Sequence, residues 1–414
     1  MDTPKKIVII SRSDATGGAA VVSRRLMEAL RGLGADARML VAEKRCDSPF
    51  VELADSAQVI RKTFMAERLK IFCANGFNRS TLFKIDTASD GLPLWNHRWV
   101  READAIILGW VNQGMLSLDG VRRLARQKKP MVWVMHDMWN MTGICHHAGE
   151  CEGWMRQCGD CPLLGRKASA RDLSNKVWSR KKEAYADTDI TFVAVSHWLA
   201  DKAKRSSLLA DRRLQVIPNP FLLDESADES ISREPCIIFG AQRLDDPIKG
   251  LPTFIEATKE LRRRDPDNKR GLKVITYGSM RDPDALKDIA LDHEHLGVVA
   301  GDEAIRRIYN KGMAVVSSSD YETLPGTLVE GQAFGCVPVC FDRGGQSDIV
   351  EHKNTGYIAR WSPDCKEAGS RLADGVIWAL DNQGKDLRNR MRVSVETKFA
   401  ADKVAGRFIR LLFP

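Results

Sequence analysis

Residues 313–341 read MAVVSSSDYETLPGTLVEGQAFGCVPVCF and contain the pattern that decides the fold. The apolar runs at the two ends predict buried strands, and TLVEGQAFG between them predicts a helix that begins near Thr327. Pro325 and Gly326 form the turn that leads from the first strand into this helix. A strand, a helix and a second strand in this order predict a parallel crossover unit of an α/β sheet.

The same alternation of short apolar runs and amphipathic stretches extends along the chain in two series. The predicted strands are 6–11, 37–41, 104–109, 131–136 and 191–196 in the first series, and 236–241, 273–278, 296–301, 313–319 and 337–341 in the second. Continuous apolar runs are typical of parallel strands that are buried on both faces. Two such series in 414 residues, which are too many for one core, predict two doubly wound α/β domains. Because ligands bind beyond the carboxyl ends of such strands, we expect a site in a cleft where the two domains face each other.

A polar segment separates the two series. Residues 216–235, VIPNPFLLDESADESISREP, are rich in Pro, Asp, Glu and Ser, which is typical of an interdomain linker. We therefore place the first domain at 1–226 and the second at 227–397. We expect the helix near 398–414 to pack back on the first domain.

Composition narrows the class of protein. The chain is 43% hydrophobic and 29% charged, which indicates a soluble globular protein. It shows neither a signal-peptide core nor an apolar run long enough for a membrane span, so we expect a cytoplasmic location. Residues 1–226 contain 35 Lys and Arg against 26 Asp and Glu, whereas 227–414 contain 28 against 29. A basic first half indicates an anionic partner such as a membrane surface, nucleic acid or a phosphorylated substrate, although each cluster by itself also fits a solvated helix surface.

Several polar residues and glycines follow directly on predicted strands. Gly17 and Gly18 lie where the first strand turns into a helix, whose amino end offers N–H groups to a phosphate. Arg243 and Lys249 follow the first strand of the second series, where together they could hold a diphosphate. Each feature alone also fits an ordinary tight turn or charged loop.

Two glutamates are separated by seven residues in the opening stretch. Glu322 falls in the loop after a strand, where a carboxylate can accept hydrogen bonds from sugar hydroxyls. Glu330 falls one turn inside the following helix, where it can bridge the two hydroxyls of a ribose. The amino end of this helix can hold phosphate.

A cysteine-rich loop follows the predicted strand 131–136. Residues 145–161 read CHHAGECEGWMRQCGDC, and the four thiols are Cys145, Cys151, Cys158 and Cys161. Four thiolates favour a closed structural zinc site, in which His146 or His147 could replace one cysteine. Reduced buried thiols and disulfides stay open as alternatives, although a cytoplasmic location disfavours disulfides. In each case we expect the loop to shape acceptor recognition rather than to form the reaction centre.

At these motifs the chain resembles glycosyltransferase family four of the GT-B fold, a family of retaining enzymes that use nucleotide-diphosphate sugars. YETLPGTLVEGQAFGCVPV is similar to the E-x7-E motif of the family, and QRLDDPIKG is similar to its Arg/Lys clamp. VIPNP, with Asn219, resembles its PN-G element with proline where glycine is usual, and VAVSHWL, with Ser196, matches the strand before it. HDMWNMTGICHHAGECEGWMRQCGDCP is similar to a subgroup that acts in capsule, exopolysaccharide and colanic-acid-type assembly. The resemblance covers nearly the whole chain.

The resemblance implies a role for each candidate residue. Residues implied in catalysis are His136, Arg243, Lys249 and Glu322. Residues implied in donor binding are Gly17, Gly18, Arg243, Lys249, Gly326, Thr327, Leu328 and Glu330. His136 would reach the transferred sugar or the acceptor, although a histidine at a strand end is often structural. Glu322 would hold the donor sugar, and Glu330 the ribose of the nucleotide.

The resulting hypothesis is a retaining glycosyltransferase that moves a sugar from a nucleotide diphosphate to a glycan or lipid-linked precursor at the inner membrane surface. It implies no metal cofactor for catalysis, since Arg243, Lys249 and a helix amino end supply the positive potential. Two alternatives are a nucleotide-sugar epimerase of similar fold and a basic, zinc-containing nucleic-acid-binding protein. The E-x7-E motif disfavours the first. The few basic residues near Trp139 and Trp154 disfavour the second, so we expect no nucleic-acid partner.

Overall fold

The computed structural model describes residues 3–222, 233–299 and 301–414, and it divides them into two compact domains. The first domain runs to Pro220 and also takes Ala401–Pro414, and the second is Phe221–Ala400. The predicted boundary at 226/227 and residues 223–232 of the predicted linker lie outside the described residues.

The sheet of the first domain consists of parallel strands whose buried runs were recognisable in the sequence. Its strands are β1 Lys6–Ser13, β2 Asp36–Glu43, β3 Val51–Leu53, β4 Ala105–Leu108, β5 Met131–Met135, β6 Ile190–Ala194 and β7 Leu214–Val216. In the part of the chain that is described, their spatial order is β3-β2-β1-β4-β5-β6-β7, and every pairing is parallel. The order reverses between β1 and β4, and in such sheets ligands bind at the carboxyl ends next to this reversal.

Helices connect these strands and cover the sheet. They are α1 Gly18–Gly32, α2 Ala57–Ala74, α3 Arg98–Glu102, α4 Leu118–Ala125, α5 Leu173–Ala186 and α6 His197–Arg205. Short 3-10 helices lie at Leu94–Asn96, Trp139–Met141, Gly153–Met155 and Pro162–Lys167. The sequence specifies where several of these helices begin. Ser117, Asp172 and Ser196 cap α4, α5 and α6 because their side chains accept hydrogen bonds from backbone N–H groups of the first turn. Ser196 therefore has a structural role as a helix cap.

The second domain repeats the architecture. Its strands are β8 Cys236–Arg243, β9 Lys273–Ser279, β10 Asp292–His295, β11 Ala314–Ser317, β12 Val337–Phe341 and β13 Tyr357–Ala359. Among the described residues their order is β10-β9-β8-β11-β12-β13, with parallel pairing throughout. The order reverses between β8 and β11, so the carboxyl ends of these two strands mark the expected ligand edge.

The helices of the second domain follow the predicted crossover pattern. They are α7 Leu251–Arg264, α8 Asp302–Lys311, α9 Gly326–Ala333, α10 Gln346–Ile349, α11 Cys365–Asp381 and α12 Lys385–Phe399. Short 3-10 helices lie at Pro247–Lys249 and Pro283–Asp288. No helix in the described ranges is long and apolar enough to cross a membrane.

The last helix, α13 (Ala401–Leu412), belongs to the first domain, where it packs against α1. Its apolar face, with Val404, Phe408 and Leu412, is buried. The first domain is thus built from two separate parts of the chain.

The predicted strand at 296–301 is wrong. The strand in this region is β10, whose four residues DHEH are polar and mostly exposed, and it ends before Leu296. Leu296 and Val298, which suggested a buried strand, are exposed, and residue 300 lies outside the described residues. An edge strand pairs on one side only, so it needs no apolar run, and this explains the error.

A separate apolar cluster supports the cysteine-rich loop. It joins α2 and α5 to the loop through Ile71, Ile85, Ile144, Leu164 and Val177, all of which are buried. Cys161 belongs to the same cluster. The loop is therefore a packed part of the first domain and is anchored on α2.

Candidate functional site

The loop after β8 is fixed to the residues that follow β11. The Ser318 hydroxyl lies 2.9 Å from the carbonyl oxygens of both Lys249 and Gly250, so its one proton is shared between them. Gly250 has a φ of 66°, and a Cβ at this position would lie 2.0 Å from the Ser318 carbonyl oxygen. Only glycine allows this approach, so the sequence PIKG holds Lys249 at the ligand edge of the sheet.

Lys249 and Glu322 form an ion pair at this edge. The Lys249 ammonium donates to Glu322 Oε1, and the Ser319 hydroxyl donates to the same oxygen at 2.9 Å. The two side chains are 27% and 18% exposed, so the pair is partly screened from water and still accessible to a ligand. The Gly345 N–H donates to the Glu322 carbonyl, and a Cβ on Gly344 would lie 2.3 Å from that oxygen. The structure thus brings together two residues that the sequence singled out.

Arg243 does not pair with this cluster in the structure. Its Nε lies 3.0 Å from Asp245 Oδ1, and its guanidinium lies 3.8 Å from Asp246. Both carboxylates come from the same loop, LDDPIKG. Arg243 and Lys249 were predicted to hold a diphosphate together. In the structure each of them pairs with a carboxylate of the second domain.

Helix α9 begins next to Glu322. Gly326 is its first residue, with Thr327 following, and its N-cap residue, Pro325, makes no side-chain cap. Its amino end can therefore accept an anion. Leu328 is fully buried, and its N–H donates to the Pro325 carbonyl, while its contact with the donor stays a prediction.

Glu330 lies in α9 close to a pair of buried tyrosines. The hydroxyl groups of Tyr277 and Tyr309 are 2.7 Å apart. Burial raises the pKa of both phenols, and the neighbouring Glu330 carboxylate raises it further. Tyr277 lies against Gly240, where a Cβ would be 2.1 Å from the ring. Glu330 thus lies within electrostatic range of two buried phenols, which the sequence pattern did not reveal.

In the first domain, a turn with positive φ begins α1. Gly17 has φ 93° and precedes the first residue of the helix, Gly18. Gly17, the N-cap residue, has no side chain that could cap the helix. The predicted glycine turn is present, and it leaves the amino end of α1 open to an anion.

His136 lies one residue beyond β5 and lines a small cavity at the ligand edge of this sheet. The cavity is otherwise lined by Ile9, Val22, Ser23, Leu26, Ile107, Gly109, Val134, Pro218, Asn219, Pro220 and Phe408. Asn219 belongs to the sequence VIPNP, so two of the residues noted in the sequence share one cavity. Burial lowers the pKa of His136 to about 4, although Asp137 opposes this shift. The ring is therefore neutral at pH 7 and can donate or accept a hydrogen bond without carrying charge.

This shift predicts a loss of stability in acid. The folded-state pKa of His136 lies below the value of about 6.5 in an unfolded chain. The stability that the neutral ring contributes is therefore fully present above pH 6.5 and is lost as the pH drops toward 4. We expect the wild type to lose about 2 kcal/mol more free energy of unfolding between pH 7 and pH 5 than His136→Gln does. Urea titrations of both proteins measure this difference, and equal losses would contradict the neutral buried ring.

Next to His136, an ionic network holds the start of the cysteine-rich loop. His146 Nδ1 lies 2.8 Å from Asp137 Oδ2, and His146 Nε2 lies 2.7 Å from Asp86 Oδ2. Burial opposes a charge here, but the contacts with Asp137 and Asp86 raise the pKa of His146 to about 10. Arg68 pairs with Asp86 from the other side, and the Trp110 indole N–H donates to Asp137. Both ring nitrogens are used, so His146 does not replace a cysteine as a zinc ligand.

The four cysteines of the loop are free thiols that lie close enough to influence one another. Burial, with a smaller contribution from neighbouring thiols, raises the pKa of Cys145 to about 12 and that of Cys158 to about 11. Within 3–222, 233–299 and 301–414, no three Cys, His, Asp or Glu side chains are arranged to hold a metal ion. The structural zinc at Cys145, Cys151, Cys158 and Cys161 stays a prediction. Elemental analysis of the purified protein tests it: about one zinc per chain supports it, and none removes it.

The structure adds site residues that the sequence pattern missed. Ser319 supports Glu322, Tyr277 and Tyr309 lie beside Glu330, and Gly344 admits the Glu322 backbone. The serine run after β11 and the paired glycines of FDRGGQ were visible in the sequence. Their contacts were not, because they depend on how separate loops meet.

Comparison with known proteins supports the sequence hypothesis at the level of the domain. Residues 224–396 match the family model described as "Glycosyl transferases group 1". The protein named "Putative colanic acid biosynthesis glycosyl transferase WcaC" of Escherichia coli (strain K12) is 28% identical over 114 residues. That match covers 25% of this chain and 28% of the relative, so it spans less than a third of that protein.

Solved structures resemble the whole chain. HepE of Anabaena, in complex with UDP and glucose, is 14% identical, covers 99% of each chain and has a TM-score of 0.59. The pneumococcal O-GlcNAc transferase GtfA, in complex with UDP and GlcNAc, is 13% identical, covers 99% of each chain and has a TM-score of 0.66. Sucrose-phosphate synthase of Thermosynechococcus elongatus is 14% identical, covers 99% of each chain and has a TM-score of 0.64. The predicted α/β fold class, GT-B with two Rossmann-like domains, is confirmed, and neither alternative function is favoured.

Proposed function

We propose that this protein is a retaining glycosyltransferase of family four that moves a sugar from a nucleoside diphosphate to a glycan acceptor. The observation that carries the proposal is the Lys249–Glu322 pair beside the amino end of α9, whose N-cap residue makes no side-chain cap. A cation and a helix amino end suit a diphosphate, and an accessible carboxylate suits sugar hydroxyls. The match of residues 224–396 to glycosyl transferases group 1 supports the same conclusion.

The second domain binds the donor in this proposal. Lys249 turns from Glu322 to the diphosphate, Glu322 then accepts hydrogen bonds from the sugar, and Arg243 exchanges Asp245 for a phosphate oxygen. Glu330 binds the ribose hydroxyls, next to the hydroxyl groups of the tyrosine pair. The similar structures of HepE and GtfA contain UDP, which supports a nucleoside diphosphate as the ligand class.

The reaction proceeds by electrostatic stabilisation of the leaving group. As the bond between the sugar and the phosphate breaks, negative charge grows on the diphosphate, where Lys249, Arg243 and the α9 amino end stabilise it. The departing phosphate accepts the proton of the acceptor hydroxyl, so no separate general base is required and the new bond keeps the anomeric configuration. His136 is neutral at pH 7, and it orients a hydroxyl group by hydrogen bonding.

The first domain binds the acceptor in this proposal, at the edge formed by His136, Asn219 and the Gly17 turn. The acceptor is a polysaccharide precursor, either free or lipid-linked. The partial match to a colanic acid biosynthesis protein supports an exopolysaccharide or capsule product. The excess of basic residues in 1–226 supports action at the inner face of the cytoplasmic membrane.

Ligand-induced stabilisation tests the donor assignment. We expect one nucleoside diphosphate among UDP, GDP, ADP, CDP and dTDP to stabilise the protein by about 2.7 kcal/mol at a concentration 100 times its Kd. Lys249→Ala should lose most of this effect. Lys259→Ala, which removes a cation from a 2.8 Å pair with Glu256 on α7, should keep it. Stabilisation by oligonucleotides but by none of the five diphosphates would overturn the proposal.

Analysis of the product tests the stereochemistry. With the stabilising nucleotide attached to a sugar, NMR of the new glycosidic bond should show the anomeric configuration of the donor. A short treatment with EDTA should leave turnover unchanged, since protein cations and the helix amino end stabilise the diphosphate. An inverted product would contradict retention, and rescue of an EDTA-treated enzyme by manganese would contradict the metal-free mechanism.

A further inference from the structure

One continuous part of the first domain exposes an unusual number of large apolar side chains. Of the exposed large hydrophobic residues among those described, five lie between 57 and 84, namely Val59, Met65, Leu69, Phe77 and Phe83. Leu69, Phe77 and Phe83 are 61%, 67% and 59% exposed. A soluble domain rarely gathers so many on one face unless the face has a partner.

Contacts between α2 and the segment that follows show that these side chains share one surface. Arg68 donates to the carbonyl oxygens of Leu82 and Ile85, and its guanidinium lies 5.7 Å from the centre of the Phe83 ring. Phe72 and Phe77 make an edge-to-face contact at 5.3 Å. The segment 77–84 is therefore held beside α2, and its aromatic rings extend the apolar stripe of the helix.

The end of α2 fixes Phe77 in its exposed position. Gly76 and Phe77 both have positive φ, 73° and 64°, and the Phe77 N–H donates to the Phe72 carbonyl. A left-handed backbone is unfavourable for a bulky residue, so this conformation is maintained at a cost. The turn therefore holds the Phe77 ring in its exposed position at the end of α2.

The exposed charged residues of the segment 57–84 have one sign, and one of them, Lys70, pairs at 2.8 Å with Asp90 outside the segment. Between 57 and 84 they are Arg61, Lys62, Lys70, Arg79 and Lys84. The single acidic residue of this segment, Glu67, is buried on the opposite face of α2 next to Arg68. Exposed Lys167, whose side chain approaches Gly76, adds another cation at the rim.

We infer that this surface, which we call the α2 surface, docks on a lipid bilayer that carries anionic headgroups. Apolar side chains between exposed lysines and arginines are what an interfacial segment needs, because the chains enter the acyl boundary and the cations meet the headgroups. A second copy of the chain is a poor partner, since a two-fold contact through this face would bring like charges together.

Docking through the α2 surface does not require that the protein transfer sugar. It would bring the enzyme to lipid-linked acceptors, and in that respect it adds to the proposed function. The two proposals fail separately, because vesicle binding and stabilisation by a nucleoside diphosphate are measured independently on the same protein.

Vesicle sedimentation tests the inference with the full chain. We expect the wild type to bind phosphatidylcholine vesicles that contain phosphatidylglycerol at least about tenfold more tightly than vesicles of phosphatidylcholine alone, with the difference reduced at high salt. Leu69→Ser/Phe83→Ser should lower binding by at least about tenfold. Arg61→Ser/Lys62→Ser should lower it for anionic vesicles only. Leu33→Ser and Lys366→Ser, which change exposed residues elsewhere, should bind as the wild type does.

Far-UV circular dichroism and nucleotide stabilisation should be unchanged in the α2-surface variants, because all four side chains are exposed. Equal vesicle binding by the wild type and Leu69→Ser/Phe83→Ser would overturn the inference. It would also be overturned if these residues mediated self-association in sedimentation velocity, or oligonucleotide binding, without vesicle binding.

Discussion

Replacing Lys249 with alanine is expected to lower kcat/KM by about 10- to 150-fold without unfolding the protein. A lost hydrogen bond to a charged group costs about 1.5–3 kcal/mol, which corresponds to that range of rates. The side chain is 27% exposed and lies on a surface loop, so its removal leaves the apolar core of the domain intact. Glu322→Ala should have an effect of similar size through loss of the sugar contact.

Steady-state kinetics with the stabilising sugar nucleotide measure the effect, and urea denaturation confirms that both variants are folded. Lys259→Ala is the matched control, because it breaks a 2.8 Å ion pair with Glu256 in the same domain. Its kinetics should be those of the wild type. Near-normal activity in both Lys249→Ala and Glu322→Ala would show that the ion pair is only structural.

The double variant Lys249→Ala/Glu322→Ala separates a joint role from two independent ones. If both residues contact the donor, each single variant loses its own contact and also leaves its partner without a counter-charge. When each loss of kcat/KM is expressed as a free energy, the loss in the double variant should therefore be smaller than the sum of the losses in the two single variants. A loss equal to that sum would show that the 2.5 Å pair is not energetically coupled.

His146→Ala is expected to lower the free energy of unfolding by about 3–5 kcal/mol. The imidazolium bridges Asp137 and Asp86 at 2.8 and 2.7 Å, and all three side chains are at most 13% exposed. Its removal leaves two largely buried carboxylates without their shared cation, and losing one partner of a buried ion pair costs that much. Arg68 still pairs with Asp86, so Asp137 should carry most of the penalty.

Urea denaturation measures this loss, and the adjacent residue supplies the control. His147 is exposed, so His147→Ala should change the stability by no more than about 0.5 kcal/mol. Asp137→Asn should partly restore stability in the His146→Ala background, because it removes the carboxylate that was left unpaired. A loss below about 1 kcal/mol in His146→Ala would show that water enters the network and screens it.

The strands that are buried on both faces could be predicted from the sequence. The run VPVCF at 337–341 coincides with β12, and KIVIIS at 6–11 lies within β1. Buried parallel strands require unbroken runs of apolar residues, and such runs can be recognised in the amino-acid sequence. The edge strands β3, β7 and β13 were not predicted. Each has only three residues and pairs with a neighbour on one side, so it needs no apolar run.

The residues of the site could be named from the sequence, but their partners could not. Lys249 and Glu322 are 73 positions apart, and only the sheet order β8-β11 brings their loops together. For His146 the sequence suggested a wrong partner, because its position among four cysteines indicated a metal ligand. Its actual partners, Asp86 and Asp137, lie 60 and 9 residues away, and no local spacing rule connects them.

The position of α13 affects how the chain folds as it is made. Phe408 in this helix lines the His136 cavity, and Val404 and Leu412 are buried in the same domain. A ribosome delivers Ala401–Leu412 after β1–β13 and α1–α12, so the first domain lacks one wall while the second domain is synthesised. The first domain therefore begins to be synthesised before the second domain but is completed after it. A fragment that stops at Pro220 leaves the apolar side of α1 open to aggregation, and studies of the first domain alone need α13 joined back through a linker.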